Sequence, residues 1–193
     1  MKRLCGSACL LGVPCRWKGD AKPCEAVQRH AERAVVRALD PDTRSALEKH
    51  HAEGTEGAEV VSHAESAESA ELIPFCPELA AGLGCPRPPI ELVADGGRVR
   101  VLRVDRSGDA TEALHAACEA QAEALERAGG ADGFVLKARS PSCGLSSPLH
   151  DASGRETGVA PGLWAALARK RFPGAAFLDE TEVSVGGIPR IPG

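Results

Sequence analysis

Gly133-Phe134-Val135-Leu136-Lys137-Ala138-Arg139-Ser140-Pro141-Ser142-Cys143-Gly144 is the stretch whose reading decides the fold. Its apolar start, Gly133 to Leu136, reads as a buried strand. The strand stops at Ser-Pro-Ser-Cys-Gly, where Pro141 fixes φ and removes a donor and Gly144 permits a positive φ. Cys143 is thereby held at the lip of a strand, beside two hydroxyls (Ser140, Ser142) and two cations (Lys137, Arg139). Ligand sites in α/β proteins lie beyond the carboxyl ends of strands. Taken alone, the pentapeptide is equally a surface turn with an incidental cysteine, so the rest of the chain must decide.

Working outward, the arrangement recurs twice. Arg3 to Ser7 reads as a short first strand leading into Ala8-Cys9-Leu10-Leu11-Gly12-Val13-Pro14-Cys15-Arg16-Trp17-Lys18-Gly19-Asp20, a loop punctuated by Gly12, Pro14 and Gly19. Glu71 to Phe75 reads as a second strand with Cys76-Pro77-Glu78 at its end, followed by a stiff Pro/Gly loop that holds Arg87. Between them, Val27, Ala31, Ala34, Val35 and Ala38 keep helical spacing from Glu25 to about Leu39; Asp40-Pro41 breaks that helix, and a polar one follows from about Asp42 to His51. Residues 52–70, rich in Ala, Glu, Ser and Gly, read as a solvated insertion, and His50, His51 and His63 as solvated surface.

Leu92 to Leu102 reads as a hairpin around Asp95-Gly96-Gly97. Asp109-Ala110-Thr111 caps a helix reaching about Ala128, whose apolar stripe takes in Cys118 as a packing residue. Ser146 to Thr157 reads as polar loop, and Gly158 to Arg171 as the last helix, with Val159, Leu163, Trp164 and Leu167 on its apolar face. Ala175 to Leu178 reads as a final strand and residues 183–193 as a tail. Strands alternating with helices predict one α/β domain over residues 1–182: a parallel sheet flanked by helices in three layers, Rossmann- or flavodoxin-like, with a small β-hairpin insertion.

Composition narrows the function classes. The chain of 193 residues is 43% hydrophobic, carries a net charge of −4 and shows no basic run, which argues against binding a nucleic-acid duplex. No apolar stretch approaches the ~18 residues of a membrane span. Met1-Lys2-Arg3-Leu4-Cys5-Gly6 has no apolar core of a signal peptide, so none is expected. Eight cysteines then point to a reducing cytoplasm, where they serve as metal ligands, reactive thiols or small core residues. Oligomeric state stays open.

Cys9, Cys76 and Cys143 each follow a predicted strand, and a parallel sheet brings the carboxyl ends of its strands to one edge. Three thiols from distant sequence are thus expected to converge. Their spacing matches no CxxC motif, but a soft thiolate trio suits an iron–sulfur cluster or zinc, and three ligands leave one position open. Cys5, Cys24 and Cys85 have no such setting.

Three motifs, in order, resemble the DUF523 family, whose characterised branch is the thiouracil desulfidases. They are Ser7-Ala8-Cys9-Leu10-Leu11-Gly12 with Cys15-Arg16-Trp17; Cys76-Pro77-Glu78 with Gly82-Leu83, Pro86-Arg87-Pro88-Pro89 and Glu91; and Leu136-Lys137 with Ser140-Pro141-Ser142-Cys143-Gly144. The resemblance spans about residues 3 to 180. It implies a [4Fe–4S] cluster bound by Cys9, Cys76 and Cys143 only, an open iron that takes sulfur from a thiolated base, and catalytic positions at Glu78, Ser140 and Ser142. The implied reaction is a non-redox desulfuration of a thiouracil-like thione that releases hydrosulfide, with Arg16, Arg87 and Lys137 balancing cluster and substrate charge. The chain departs from the family in having Trp17-Lys18-Gly19-Asp20 where Tyr-Asp-Gly is usual, and in the 52–70 insertion. Cys15 is either a fourth ligand or a thiol behind the other three, and the three-ligand reading is preferred. Two rivals remain: a structural zinc or redox-thiol domain using Cys9, Cys15, Cys76 and Cys143 without catalysis, and a nucleotide-binding module, for which no GxGxxG or Walker pattern exists.

Overall fold

The computed structural model describes residues 3–53 and 70–183. Five strands, β1 (Arg3–Ser7), β2 (Ala34–Val36), β3 (Ala70–Phe75), β6 (Gly133–Leu136) and β9 (Ala176–Asp179), form a parallel sheet in the order β2-β3-β1-β6-β9. The period of two along the central strands sorts their side chains between two cores. Leu4, Leu72 and Val135 pack with Val27 and Leu47, from helices α1 (Glu25–Ala31) and α2 (Pro41–Glu53). Cys5, Ile73, Phe134 and Leu136 pack on the opposite face with Cys118, Ala122 and Leu125 of α4 (Thr111–Arg127) and Trp164, Ala165 and Ala168 of α5 (Leu163–Arg171). Three layers follow, as expected. With few aromatics available, Trp164 is the hub of its core, edge-on to both Phe75 and Phe134.

The expected hairpin is part of a second sheet. Strands β4 (Ile90–Asp95), β5 (Arg98–Arg103), β7 (Ser147–His150) and β8 (Glu156–Ala160) run in the order β5-β4-β7-β8, with β4 and β7 parallel. Leu92, Val101 and Leu114 form its core, so α4 serves both sheets.

Four readings of the sequence change. The helix expected over Glu25 to Leu39 ends at Ala31, and Ala34–Val36 is strand β2 on the sheet edge. The β-branched pair Val35-Val36 gives up little by leaving a helix and gains the ladder to β3. Asp40 does not simply break the chain: its carboxylate accepts the Thr43 N–H at 2.8 Å as an N-cap, and Pro41 opens α2. The polar loop expected over Ser146 to Thr157 instead contains β7 and the start of β8, turned by Asp151, whose carboxylate accepts the N–H groups of Ser153 and Arg155. Gly158 and Val159 therefore belong to β8, where Val159 is 65% exposed, and the last helix begins only at Leu163.

Of the insertion expected over 52–70, Ala52 and Glu53 end α2 and Ala70 opens β3; residues 54–69, with His63, lie outside the described residues, as do 184–193. Among the described residues no helix is long and apolar enough to cross a membrane.

Candidate active site

Strands β3, β1 and β6 are adjacent at the centre of the large sheet, and one predicted cysteine ligand follows each of them. Neighbouring strands lie about 4.8 Å apart. The chain segments leaving their carboxyl ends therefore crowd together, and Cys9, Cys76 and Cys143 all line one cavity of about 380 Å³. The thiols are almost fully enclosed, at 7%, 7% and 6% exposure. Cys9 lies in the short 3-10 turn Ala8–Leu11, where its carbonyl accepts the N–H of Lys22. Cys76 caps the short helix α3 (Pro77–Ala80), and its N–H donates to the Thr43 hydroxyl at 3.0 Å. Cys143 sits in the turn that follows β6, its N–H donating to Ser140 Oγ at 3.1 Å.

That turn is seated on the start of α5. The N–H groups of Gly162 and Trp164 donate to the carbonyls of Gly144 and Ser142, both at 2.8 Å. Gly144 does not use the positive φ open to it; what requires glycine there is space, since a Cβ would collide with Ser147 Oγ and lie 2.8 Å from Ser140 N. Gly162 is held by the same crowding, since its Cβ would approach Ser140 O, Ser142 C and Cys143 N within 2.8–2.9 Å. The left-handed residue of the loop is Arg139, with φ of 58°, exposed at the cavity wall.

Glu78 reaches the same cavity, and both of its oxygens are held: Ser142 Oγ donates to Oε1 at 2.6 Å and Arg87 Nε to Oε2 at 2.7 Å. Ser140 Oγ is 3.1 Å from Ser142 Oγ, so the serines and the acid form one chain of hydrogen bonds. The two serines differ in place. Ser140 lines the cavity, whereas Ser142 is buried behind it between Glu78 and Cys143. Arg87 lines the wall but spends its other donors on the carbonyls of Gly84 and Cys15, at 2.6 and 2.8 Å. Burial opposes its charge, and the Glu78 carboxylate more than restores it, raising the Arg87 pKa.

A fourth thiol shares the cavity. Cys15 is 2% exposed and hydrogen-bonds toward both Cys76 and Cys9, which pushes its own pKa up. The Cys9 thiol is held below the ordinary range, chiefly by the bond from Cys15, against the effect of burial and with help from Lys137 and Arg16. Burial pushes Cys143 well up, and neighbouring Cys76 adds to it. Among the described residues, however, no three His, Cys, Asp or Glu side chains are grouped to hold a metal ion. That holds equally for zinc and for an iron–sulfur cluster, so the fit of the site to either rests on its donor set and shared cavity, not on a preformed ligand cage.

The model of the 2-thiouracil desulfurase family matches residues 5–180. The chain belongs to that family. A solved structure titled as a [4Fe–4S]-dependent thiouracil desulfidase, TudS, superposes with a TM-score of 0.57 at 24% identity, over 94% of this chain and 93% of that one. It has the same fold. A comparison with curated proteins gives no match.

Within this desulfurase-family fold the remaining predicted cations also reach the cavity. Arg16 is tied to Asp20 at 2.7 Å, and Lys137 lies 3.0 Å from Glu180. The cysteines without a motif stay out of it: Cys5 and Cys118 are core residues, Cys118 with its thiol pushed up to about 12 by burial, Cys24 packs beside Leu10, and the Cys85 thiol donates to the carbonyls of Pro14 and Arg16. Several supporting residues escaped the sequence reading. Thr43 and Gly162 hold ligand loops, the Ser7 hydroxyl accepts the Lys137 N–H at 3.0 Å, and Glu180 pairs with Lys137. Ser7 stands in the first quoted motif and Thr43 is the third residue after a capping Asp40, whereas Gly162 and Glu180 left no signal in the sequence.

The donor chemistry fits an iron–sulfur cluster. Four thiols, Cys15 and the three predicted ligands, stand at one cavity, with apolar groups such as Phe75 and Ile90 and no competing His among its lining residues.

Proposed function

We propose that this protein removes sulfur from a thiolated nucleobase by exchange with water, the C=S group becoming C=O and the sulfur leaving as hydrosulfide, with no net electron transfer. The observation that carries the reading is the placement of Cys9, Cys76 and Cys143 after three adjacent strands, around the cavity into which Glu78 projects. In this reading these three cysteines would hold a [4Fe–4S] cluster. When bound, the cluster supplies an iron without a protein ligand, a Lewis acid suited to a thione sulfur.

The chain's own groups do the rest. Glu78 accepts a proton from the attacking water and returns it to the departing sulfur. Arg87 and Ser142 hold its carboxylate in place, which makes Arg87 a residue that acts on the acid more than on the substrate. Ser140, the serine that faces the cavity, orients the base or the water. Lys137 and Arg16 offset the negative charge of three thiolates. Cys15, on the same cavity and within hydrogen-bond reach of Cys9 and Cys76, supports them in this reading without serving as a ligand.

The test is iron and acid-labile sulfide content of anaerobically prepared protein, followed by sulfide release from a panel of thiopyrimidines. About four irons per chain and stoichiometric conversion of thione to carbonyl are expected. Protein that carries zinc and no iron, or releases no sulfide when fully loaded, would refute the reading.

A further inference from the structure

We propose that Glu180 is a positioning residue that fixes the Lys137 ammonium at the cavity wall and sets how much positive charge reaches the cysteine site. The inference rests on the function proposed above only in taking that cavity as the active site. Glu180 follows β9, next to the end of β6, and its side chain is only 8% exposed. It makes two kinds of contact with the segment leading to Cys143. Its Oε2 accepts the Ala138 N–H, and its Oε1 lies 3.0 Å from Lys137 Nζ. Lys22, from the loop after Cys9, adds a weaker approach at 3.7 Å and is itself 53% exposed.

The consequences follow from where each group stands. Lys137 lines the cavity, and Glu180 stands outside its lining residues, within ion-pair distance of the Lys137 ammonium. A lysine on a four-carbon stem at a strand end is free to turn outward to water unless something holds it. Here its Nζ donates to the Ala138 carbonyl, and the buried Glu180 carboxylate holds its charge from behind as an ion pair at 3.0 Å. The same carboxylate secures the backbone at Ala138, one residue before left-handed Arg139, where the chain bends toward the serines and Cys143. One acid thus anchors both the cation and the start of the ligand turn. It lies outside every motif quoted from the sequence.

Glu180→Gln keeps the acceptor for Ala138 and removes the charge. In cluster-free protein, acetylation of Lys137 by an N-hydroxysuccinimide ester, read by peptide mass spectrometry, should speed up several-fold in E180Q, while Lys170 and Lys18 react as in wild type. An unchanged Lys137 rate overturns the proposal. Should E180Q unfold, every lysine would accelerate together; Glu180→Asp, which keeps the charge but withdraws it, then serves as the second variant with the same readout and the same criterion. In cluster-loaded protein E180Q made in the Lys137→Met background should raise the midpoint potential, since only a negative charge is lost, whereas E180Q made with Lys137 present should raise it less or lower it, since the released lysine takes its positive charge away from the site. Equal shifts in the two backgrounds overturn the positioning role. None of these measurements uses a thione, so loss of the desulfuration reading would leave them standing.

Discussion

Glu78→Gln separates the chemistry of this site from its architecture. The substitution preserves shape: the amide oxygen can still accept from Arg87 Nε, and the amide nitrogen can donate to Ser142 Oγ. What disappears is the charge opposite Arg87, whose side chain is 3% exposed beside a Glu78 side chain at 13%. Removing one partner of a buried pair costs about 3–5 kcal/mol. Arg87 retains its bonds to the carbonyls of Gly84 and Cys15, and Glu78 touches solvent. The cost should therefore fall to about 2–3 kcal/mol. For a chain of this size that is a melting-temperature drop of roughly 4–12 °C. Turnover should fall further than folding alone explains: losing a general acid–base contribution of about 10²–10⁴ raises the barrier by about 2.7–5.4 kcal/mol. The assay is thiouracil turnover normalised to bound iron, well below the variant's melting temperature, with iron content near wild type. A normalised rate within a few-fold of wild type would refute the role given to Glu78 and pass it to Ser140.

Three further outcomes are expected. Cys15→Ala should keep an iron–sulfur chromophore and measurable turnover while Cys143→Ala loses both, as absorbance and iron analysis will show; loss of iron in Cys15→Ala would mean four-cysteine ligation. Gly162→Ala drives a Cβ to within 2.9 Å of three backbone atoms under the Cys143 turn, so it should cost more than the ordinary ~1 kcal/mol of a point substitution and lower cluster content; a fully loaded, wild-type-stable variant would contradict the packing argument. Asp109 is opposed by burial but held at about 2, below its ordinary 3.8, by the Thr111 hydroxyl and Arg100. A lowered folded-state pKa contributes stability that is complete above 3.8 and lost as pH falls toward 2, so Asp109→Asn should melt below wild type at pH 6 with the gap closing between pH 4 and 2. A gap that stays constant through that window would exclude the ionised carboxylate as its source.

Much of this protein was legible along the chain because its decisive features are local. The run Gly133–Leu136, the stop at Pro141 and the cysteine beyond it carry their own meaning, and so do Leu4-Cys5 and Leu72-Ile73, whose alternation between two cores is inherent to a strand. A parallel sheet then carries all three cysteines to one edge, whatever the order of the strands. Tertiary structure decided the rest. Val35-Val36 became a strand only because β3 offered a ladder, and Ser147–His150 only because β4 did; neither segment has enough apolar alternation to announce itself. Likewise the sequence holds nothing to show that β3, β1 and β6 are neighbours, that Arg87 spends its donors on Glu78 and two carbonyls, or that Gly162 and Glu180 support a turn and a lysine far from them in the chain. Apart from the short-range bonds of Arg87 to Glu78 and Gly84, those are contacts between residues far apart in the chain. They arise when the ends of separate strands are packed side by side, and periodicity within one segment carries no record of them.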